Sequence, residues 1–316
     1  MNRYGMQAMN ELKGKTMTRN IVLLDGGMGQ ELLSRSDVKP TPLWSAQFLL
    51  DKPDIVEGVH RDFIEAGAKV LTLSSYSVTP ERLQRDGDIA DFEPMQKRAL
   101  DIAERAVCGN KTVTVAGCLP PMIASYRPDL APAFDACVAT YQQIVDAQKE
   151  RVDVFLCETM SSIKEARASL KAAKTTDKPV WVGLSVDDKD GTVLRSGEKL
   201  SEAVLAMEQD EADAVVINCS SPEAINQAME ILAEGMLPYG AYANGFTGIA
   251  ALQPGGTVDS LTARKDLNPQ TYADFVMGWV EKGASIVGGC CEVGPKHISE
   301  INDRLKAAGH TVTGQL

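Results

Sequence analysis

Short apolar runs and longer amphipathic stretches alternate along most of the chain. Ile21–Leu24, "KVLTLSSY", "KTVTVAGCLP", "VDVFLCETM", "KPVWVGLSVD", "ADAVVINCSSP", "LPYGAYAN" and Ala284–Gly289 read as eight short strands. Between them, "KPDIVEGVHRDFIEAGA" sets Ile55, Val59, Phe63 and Ile64 at helical spacing. The same period predicts helices over Met95–Val107, Ala133–Lys149, "PEAINQAMEILAE", Thr271–Lys282 and Pro295–Ala307. Residues 77–91 are charged and predict an exposed loop or a short helix. Ser161 is expected to cap the helix after the fourth strand, and Pro222 to open the one after the sixth. Many of the strands are continuous apolar runs rather than alternating ones, which predicts burial on both faces. Eight strands separated by helices predict an α/β fold of the (β/α)8 barrel type, with a doubly wound open sheet as the competing closure. In a barrel, the ends of strands one, two, four, six and eight share a rim. Asp25, Tyr76, Glu158, Cys219, Cys290 and Cys291 would then meet despite their separation in sequence.

Composition narrows the class. A chain of 316 residues with 44% hydrophobic content suits one barrel or two smaller domains. No composition break marks a second domain, so the expected division is a polar flexible leader over residues 1–20 and a single barrel over 21–316. The formal net charge of −11 argues against a nonspecific grip on nucleic acid or anionic membrane. No apolar run reaches transmembrane length, and the N-terminal stretch lacks the apolar core of a secretory signal. Seven cysteines over this length do not form a disulfide-dense framework, and cytoplasmic residence is expected.

Candidate chemistry centres on "SIVGGCCEVGPKHI". Neighbouring side chains of a regular strand face opposite ways, so Cys290 and Cys291 could share a site only past its end. Gly288 and Gly289 are expected to permit this through backbone angles closed to other residues. Cys219 follows the sixth apolar run in the same manner, and Cys118 ends the third as another strand-end cysteine, to which no role is assigned. Three thiolates from two strand ends suit a soft metal such as zinc, with a fourth position for substrate. Buried packing and redox or nucleophilic thiol chemistry remain alternative readings of the same cysteines. Cys157 or His297 could complete a structural site, although neither has a strong local signal. A thiolate-rich zinc favours the thiolate of a sulfur substrate, which could then take a methyl group from a sulfonium or quaternary ammonium donor. Gly26, Gly27 and Gly29 read as a turn, since neither GxGxxG nor GxxxxGK[ST] is present. Asp25 is either a cap or a strand-end carboxylate. His60 reads as a structural or surface histidine, and Trp44 as packing.

Five segments together, "LLDGGMGQEL", "CETMSSIKEA", "DGTVLRSGEKLSEAV", "INCSSP" and "GGCCEVGPKHI", resemble the homocysteine S-methyltransferase family from about Ile21 to Leu305. The resemblance implies a (β/α)8 barrel with one catalytic Zn2+ on Cys219, Cys290 and Cys291, which the homocysteine sulfur joins during turnover. It also implies that Asp25, Gly26 and Gly27 form the loop beside L-homocysteine, that Glu158 helps hold the amino group, and that Tyr76 lies near a small methylated onium donor. S-methylmethionine is the first donor expected, with betaine, S-adenosylmethionine and dimethylsulfoniopropionate as others, and the product is methionine. Direct transfer is expected, because the remaining chain has no room for a cobalamin or folate domain. A noncatalytic thiol- or zinc-binding barrel, or a component working with a separate corrinoid partner, is the alternative. A homo-oligomer is compatible with the sequence. Glu292 and Val293 depart from the usual small residue and threonine, and are expected to alter the donor side of the pocket. "YANGF" stands where many members carry Pro-Asn, and residues 245–268 form a Gly-rich lid or surface loop.

Overall fold

The structure is a computed structural model that describes residues 18–37, 41–43, 45–249, 252, 254–257 and 260–316. Most of the expected leader, together with Trp44 and parts of the 245–268 segment, lies outside the described residues.

Eight parallel strands alternate with helices and curl into a barrel, as the apolar pattern predicts. The strands are β1 (Asn20–Leu23), β2 (Val70–Thr72), β3 (Thr114–Leu119), β4 (Val154–Met160), β5 (Val180–Leu184), β6 (Ala214–Asn218), β7 (Tyr239–Tyr242) and β8 (Ile286–Val287). They pair in sequence order from β2 to β8, and β8 then pairs with β1. The ring closes where Leu24 bridges Val70 and the Lys69 amide donates to the Leu23 carbonyl over 2.8 Å.

A ninth parallel strand, β9 (Thr311–Thr313), pairs with β1 through Asn20, Ile21 and Val22. Thr114 Oγ1 anchors its end by donating to the Gly314 carbonyl over 2.9 Å. Its Thr-Val-Thr sequence is too short to signal a strand by periodicity. The seam beside β1 supplies the pairing instead.

The helices are α1 (Met28–Ser34), α2 (Ala46–Asp51), α3 (Pro53–Glu65), α4 (Pro80–Asp86), α5 (Phe92–Val107), α6 (Phe134–Gln148), α7 (Ile163–Ala173), α8 (Leu200–Gln209), α9 (Pro222–Leu232), α10 (Pro269–Glu281) and α11 (Pro295–Ala307). Local chemistry sets several starts. Ser221 Oγ accepts from the Ala224 amide ahead of α9, with Pro222 in the first turn. The cap of α7 is Ser162, which accepts from the Glu165 amide, and not Ser161. Ser161 Oγ instead donates to the Thr159 carbonyl.

Strand alternation splits the core in two. Val154 and Leu156 of β4, with Ala214 and Val216 of β6, pack inside the barrel with Trp181 and Ile286. Phe155, Cys157, Val215 and Ile217 join the larger cluster between sheet and helices. This period of two has a functional consequence. Cys157 is turned outward into packing, while Glu158 continues the inward row of Val154 and Leu156 at the C-terminal rim.

Candidate thiol and metal site

All eight residues singled out in the sequence, Asp25, Gly26, Gly27, Tyr76, Glu158, Cys219, Cys290 and Cys291, line one cleft at the C-terminal ends of the strands. Cys219 follows β6 directly and has a left-handed backbone, with φ of 51°. This conformation is uncommon outside glycine and redirects the side chain as the strand ends. Cys290 and Cys291 lie beyond β8 in a turn, with the Cys290 amide donating to Ala243 and the Val293 amide to Cys290. The two glycines before them serve close packing rather than unusual backbone angles, because neither has a positive φ. A Cβ on Gly288 would lie 2.6 Å from Leu24 Cβ, and one on Gly289 would lie 2.1 Å from Val293 Cγ1.

The three Sγ atoms lie within 4.8 Å of one another, with Cys219 and Cys290 2.7 Å apart. Tetrahedral zinc with Zn–S of about 2.3 Å would space its sulfurs about 3.8 Å apart, so this donor set fits a soft metal with small adjustments. Cys219 is the most acidic thiol of the three. Donation from the Cys290 and Cys291 thiols, the Tyr126 hydroxyl and the charge of Arg195 hold its pKa well below the usual thiol value. Those same interactions with Cys219, together with burial, push Cys290 and Cys291 upward.

Two carboxylates share the cleft. Asp25 accepts from the Thr72 amide at 2.9 Å and from Thr72 Oγ1 at 3.1 Å. Burial outweighs these bonds and pushes its pKa to about 8, with nearby Glu158 adding to the rise. Glu158 accepts from the Tyr242 hydroxyl at 3.0 Å and from the Cys118 thiol at 3.2 Å, and burial pushes it to about 7. Such groups ionise readily when a substrate ammonium arrives to replace lost solvation. Tyr76 bonds Ser125 through its hydroxyl at 2.8 Å, and burial raises its pKa.

The glycine loop is a spacer. A Cβ on Gly27 would sit 2.5 Å from the Cys290 carbonyl oxygen, and one on Gly26 would sit 2.1 Å from that of Val293. The Gly27 amide donates to Val293 over 2.9 Å, and the Gly289 amide to Asp25 over 3.0 Å. The loop after β1 is thereby fastened to the turn carrying the cysteine pair.

Other expectations fall outside the cleft. Cys157 is buried in the outer core and His297 belongs to its own helix start. There Nδ1 accepts from the Gly294 amide, and Nε2 lies 3.1 Å from the Leu267 carbonyl oxygen. Neither Glu292 nor Val293 lines the cleft, although the charge of Glu292 acts on Cys291 and raises its pKa. Val293 is buried under the cysteine turn. His60 is fully buried.

Sequence reasoning missed Tyr126, Tyr242, Thr72 and Arg195, and it assigned no role to Cys118, which holds Glu158. Tyr126 donates its hydroxyl to Cys219 Sγ over 3.1 Å. Arg195 stacks 4.7 Å from the Tyr126 ring centroid and donates to the Cys219 carbonyl, Ser185 and Asp188. Tyr242 ends β7, the one signal that could have flagged it.

The architecture defines an α/β barrel whose strand ends carry a three-thiol centre beside paired carboxylates. A sequence profile described as homocysteine S-methyltransferase matches residues 22–305, and the chain belongs to that family. The homocysteine S-methyltransferase of Escherichia coli is 27% identical over 318 residues, covering 95% of this chain and all of that protein. Selenocysteine Se-methyltransferase of Brassica oleracea is 26% identical, covering 91% of this chain and 90% of that protein. The metallated form of the Escherichia coli homocysteine methyltransferase MmuM superposes with a TM-score of 0.75 at 26% identity, over 93% of this chain and 98% of that one. Among the described residues, no helix is long and apolar enough to cross a membrane.

Proposed function

We propose that this protein transfers a methyl group from a small onium donor, S-methylmethionine first among them, to the sulfur of L-homocysteine, forming methionine. The observation that carries the reading is the meeting of three thiols from two strand ends within 4.8 Å, in a cleft that also holds Asp25 and Glu158. Cys219, Cys290 and Cys291 would hold the zinc. Zinc bound there would favour the thiolate form of an incoming thiol while leaving it nucleophilic.

The chain's own residues orient the reaction. Glu158 and Asp25 accept the substrate ammonium, and Tyr242, Cys118 and Thr72 hold those carboxylates in place. The rim around Tyr76 offers the onium donor an aromatic ring. Homocysteine loses its thiol proton to solvent. A carbon–sulfur bond then forms to the donor methyl as the bond from that methyl to the onium atom breaks. The breaking bond's electron pair stays on the departing neutral thioether or amine, so no acid is needed for the leaving group.

A donor-by-acceptor activity matrix on reduced, zinc-replete protein, with product masses read directly, tests the proposal. Methionine should form from homocysteine with at least one onium donor. Cys290→Ala should remove most of that activity, and the native protein should carry about one zinc per chain. Undiminished turnover by zinc-free protein would reject the reading.

A further inference from the structure

Arg82 on α4 is 7% exposed, and its guanidinium donates only to neutral carbonyls, to Pro121 over 2.8 Å and to Met122 over 3.4 Å. No carboxylate lies within ion-pair distance of it among the described residues. Neighbouring Arg85 is occupied by Asp86 and the Ile123 carbonyl, and Glu165 feels Arg82 only at longer range. A buried cation without an anion is costly, and a guanidinium is shaped to receive a carboxylate on two parallel bonds.

Arg82 lines a second, smaller cavity together with Ser77, whose buried Oγ has no partner among the described residues. That cavity adjoins the cysteine cleft, because Ser125 and Leu252 line both. Tyr76 marks the partition. Its ring centroid is 5.2 Å from Arg82 Cζ, and its hydroxyl bonds Ser125.

The two cavities therefore differ in chemistry. Carboxyl groups that ionise as a substrate cation approaches, Asp25 and Glu158, line the first beside the cysteines, and the permanent guanidinium cation of Arg82 lines the second. A plain cation approaching the cysteines would be repelled by Arg82. A zwitterion with its cationic end toward the thiols and its anionic end toward Arg82 is attracted at both. We propose that Arg82 and Ser77 form the subsite for the carboxylate of a zwitterionic onium donor, which rests on the methyl-transfer reading above. Arg82 thereby selects sulfonium or ammonium carboxylates over onium ions lacking the acid group.

Calorimetric binding of S-methylmethionine and of its carboxamide to the reduced protein tests this without requiring turnover. The acid should bind about tenfold or more tightly than the amide. Arg82→Gln should abolish that preference and leave homocysteine affinity within about twofold of the native value. Arg82→Lys, which keeps the charge but loses the fork, should retain part of the preference. Should Arg82→Gln fail to fold, the acid-to-amide ratio of the native protein and its reduction in Ser77→Ala decide the question. Equal binding of acid and amide by the native protein overturns the subsite. So does an unchanged preference in Arg82→Gln, or no binding of S-methylmethionine, dimethylsulfoniopropionate and betaine alike. An Arg82-dependent preference without methyl transfer from any donor would support the subsite while sinking the methyltransferase reading. Turnover without the preference would do the reverse.

Discussion

The Tyr126 hydroxyl donates to Cys219 Sγ over 3.1 Å, and Arg195 holds the same tyrosine ring from its face. A hydrogen bond to a charged sulfur stabilises the thiolate over the thiol by about 1.5 to 3 kcal/mol. Tyr126→Phe should therefore raise the pH at which Cys219 ionises in the metal-free protein. Thiolate absorbance followed against pH reads this directly. An unchanged midpoint would show that the phenol contributes nothing to the thiolate.

Glu158 is ready to lose its proton near neutrality, since burial lifts it to about 7, and Asp25 follows at about 8. Only the ionised carboxylates attract an ammonium, so kcat/KM for homocysteine should rise as pH climbs through about 7 to 8. The two interacting groups titrate as a pair. Glu158→Gln should raise homocysteine KM about ten- to hundredfold and flatten the lower part of that limb. A thiol acceptor lacking the amino group should be insensitive to the substitution. Equal losses with both acceptors would remove Glu158 from ammonium binding.

Gly27→Ala places a methyl group 2.5 Å from the Cys290 carbonyl oxygen. The turn carrying Cys290 and Cys291 must move, while the barrel below it is untouched. Methyl transfer should fall by about a hundredfold or more, since misplacement near 1 Å costs that much. Circular dichroism should remain native, and metal content per chain should drop. Retained zinc with full activity would show that the turn tolerates the displacement.

His60 is buried on α3, and both ring nitrogens lack hydrogen-bond partners among the described residues. Burial pushes its pKa down to about 3, whereas the unfolded chain takes up the proton below about 6.5. Between those values the unfolded state binds more protons, so stability falls as pH drops, by about 1.4 kcal/mol per unit. His60→Leu should shrink the loss of unfolding free energy between pH 7 and 4.5 by about 2 to 3 kcal/mol. Urea unfolding at the two pH values measures it. An identical loss in the variant would assign the acid sensitivity elsewhere.

The apolar pattern and the family segments were enough to place the barrel, its eight strands and eight of the residues that line the cleft. Continuous apolar runs and the 3.6-residue period are local consequences of burying strands on both faces and helices on one. A barrel then brings every strand end to a single rim, which is why Asp25, Glu158 and the cysteines could be joined from the pattern. Distances and partners exist only in the folded chain. Tyr126 reaches Cys219 from 93 positions away in sequence, Cys118 meets Glu158 from 40, and β9 finds its pairing beside β1. No local periodicity encodes such meetings, because they arise where separate segments are pressed together by the closing sheet. The purpose of the glycines before Cys290 belongs to the same class. What they avoid is the side chain of Leu24 or Val293, which only the folded chain puts in their way.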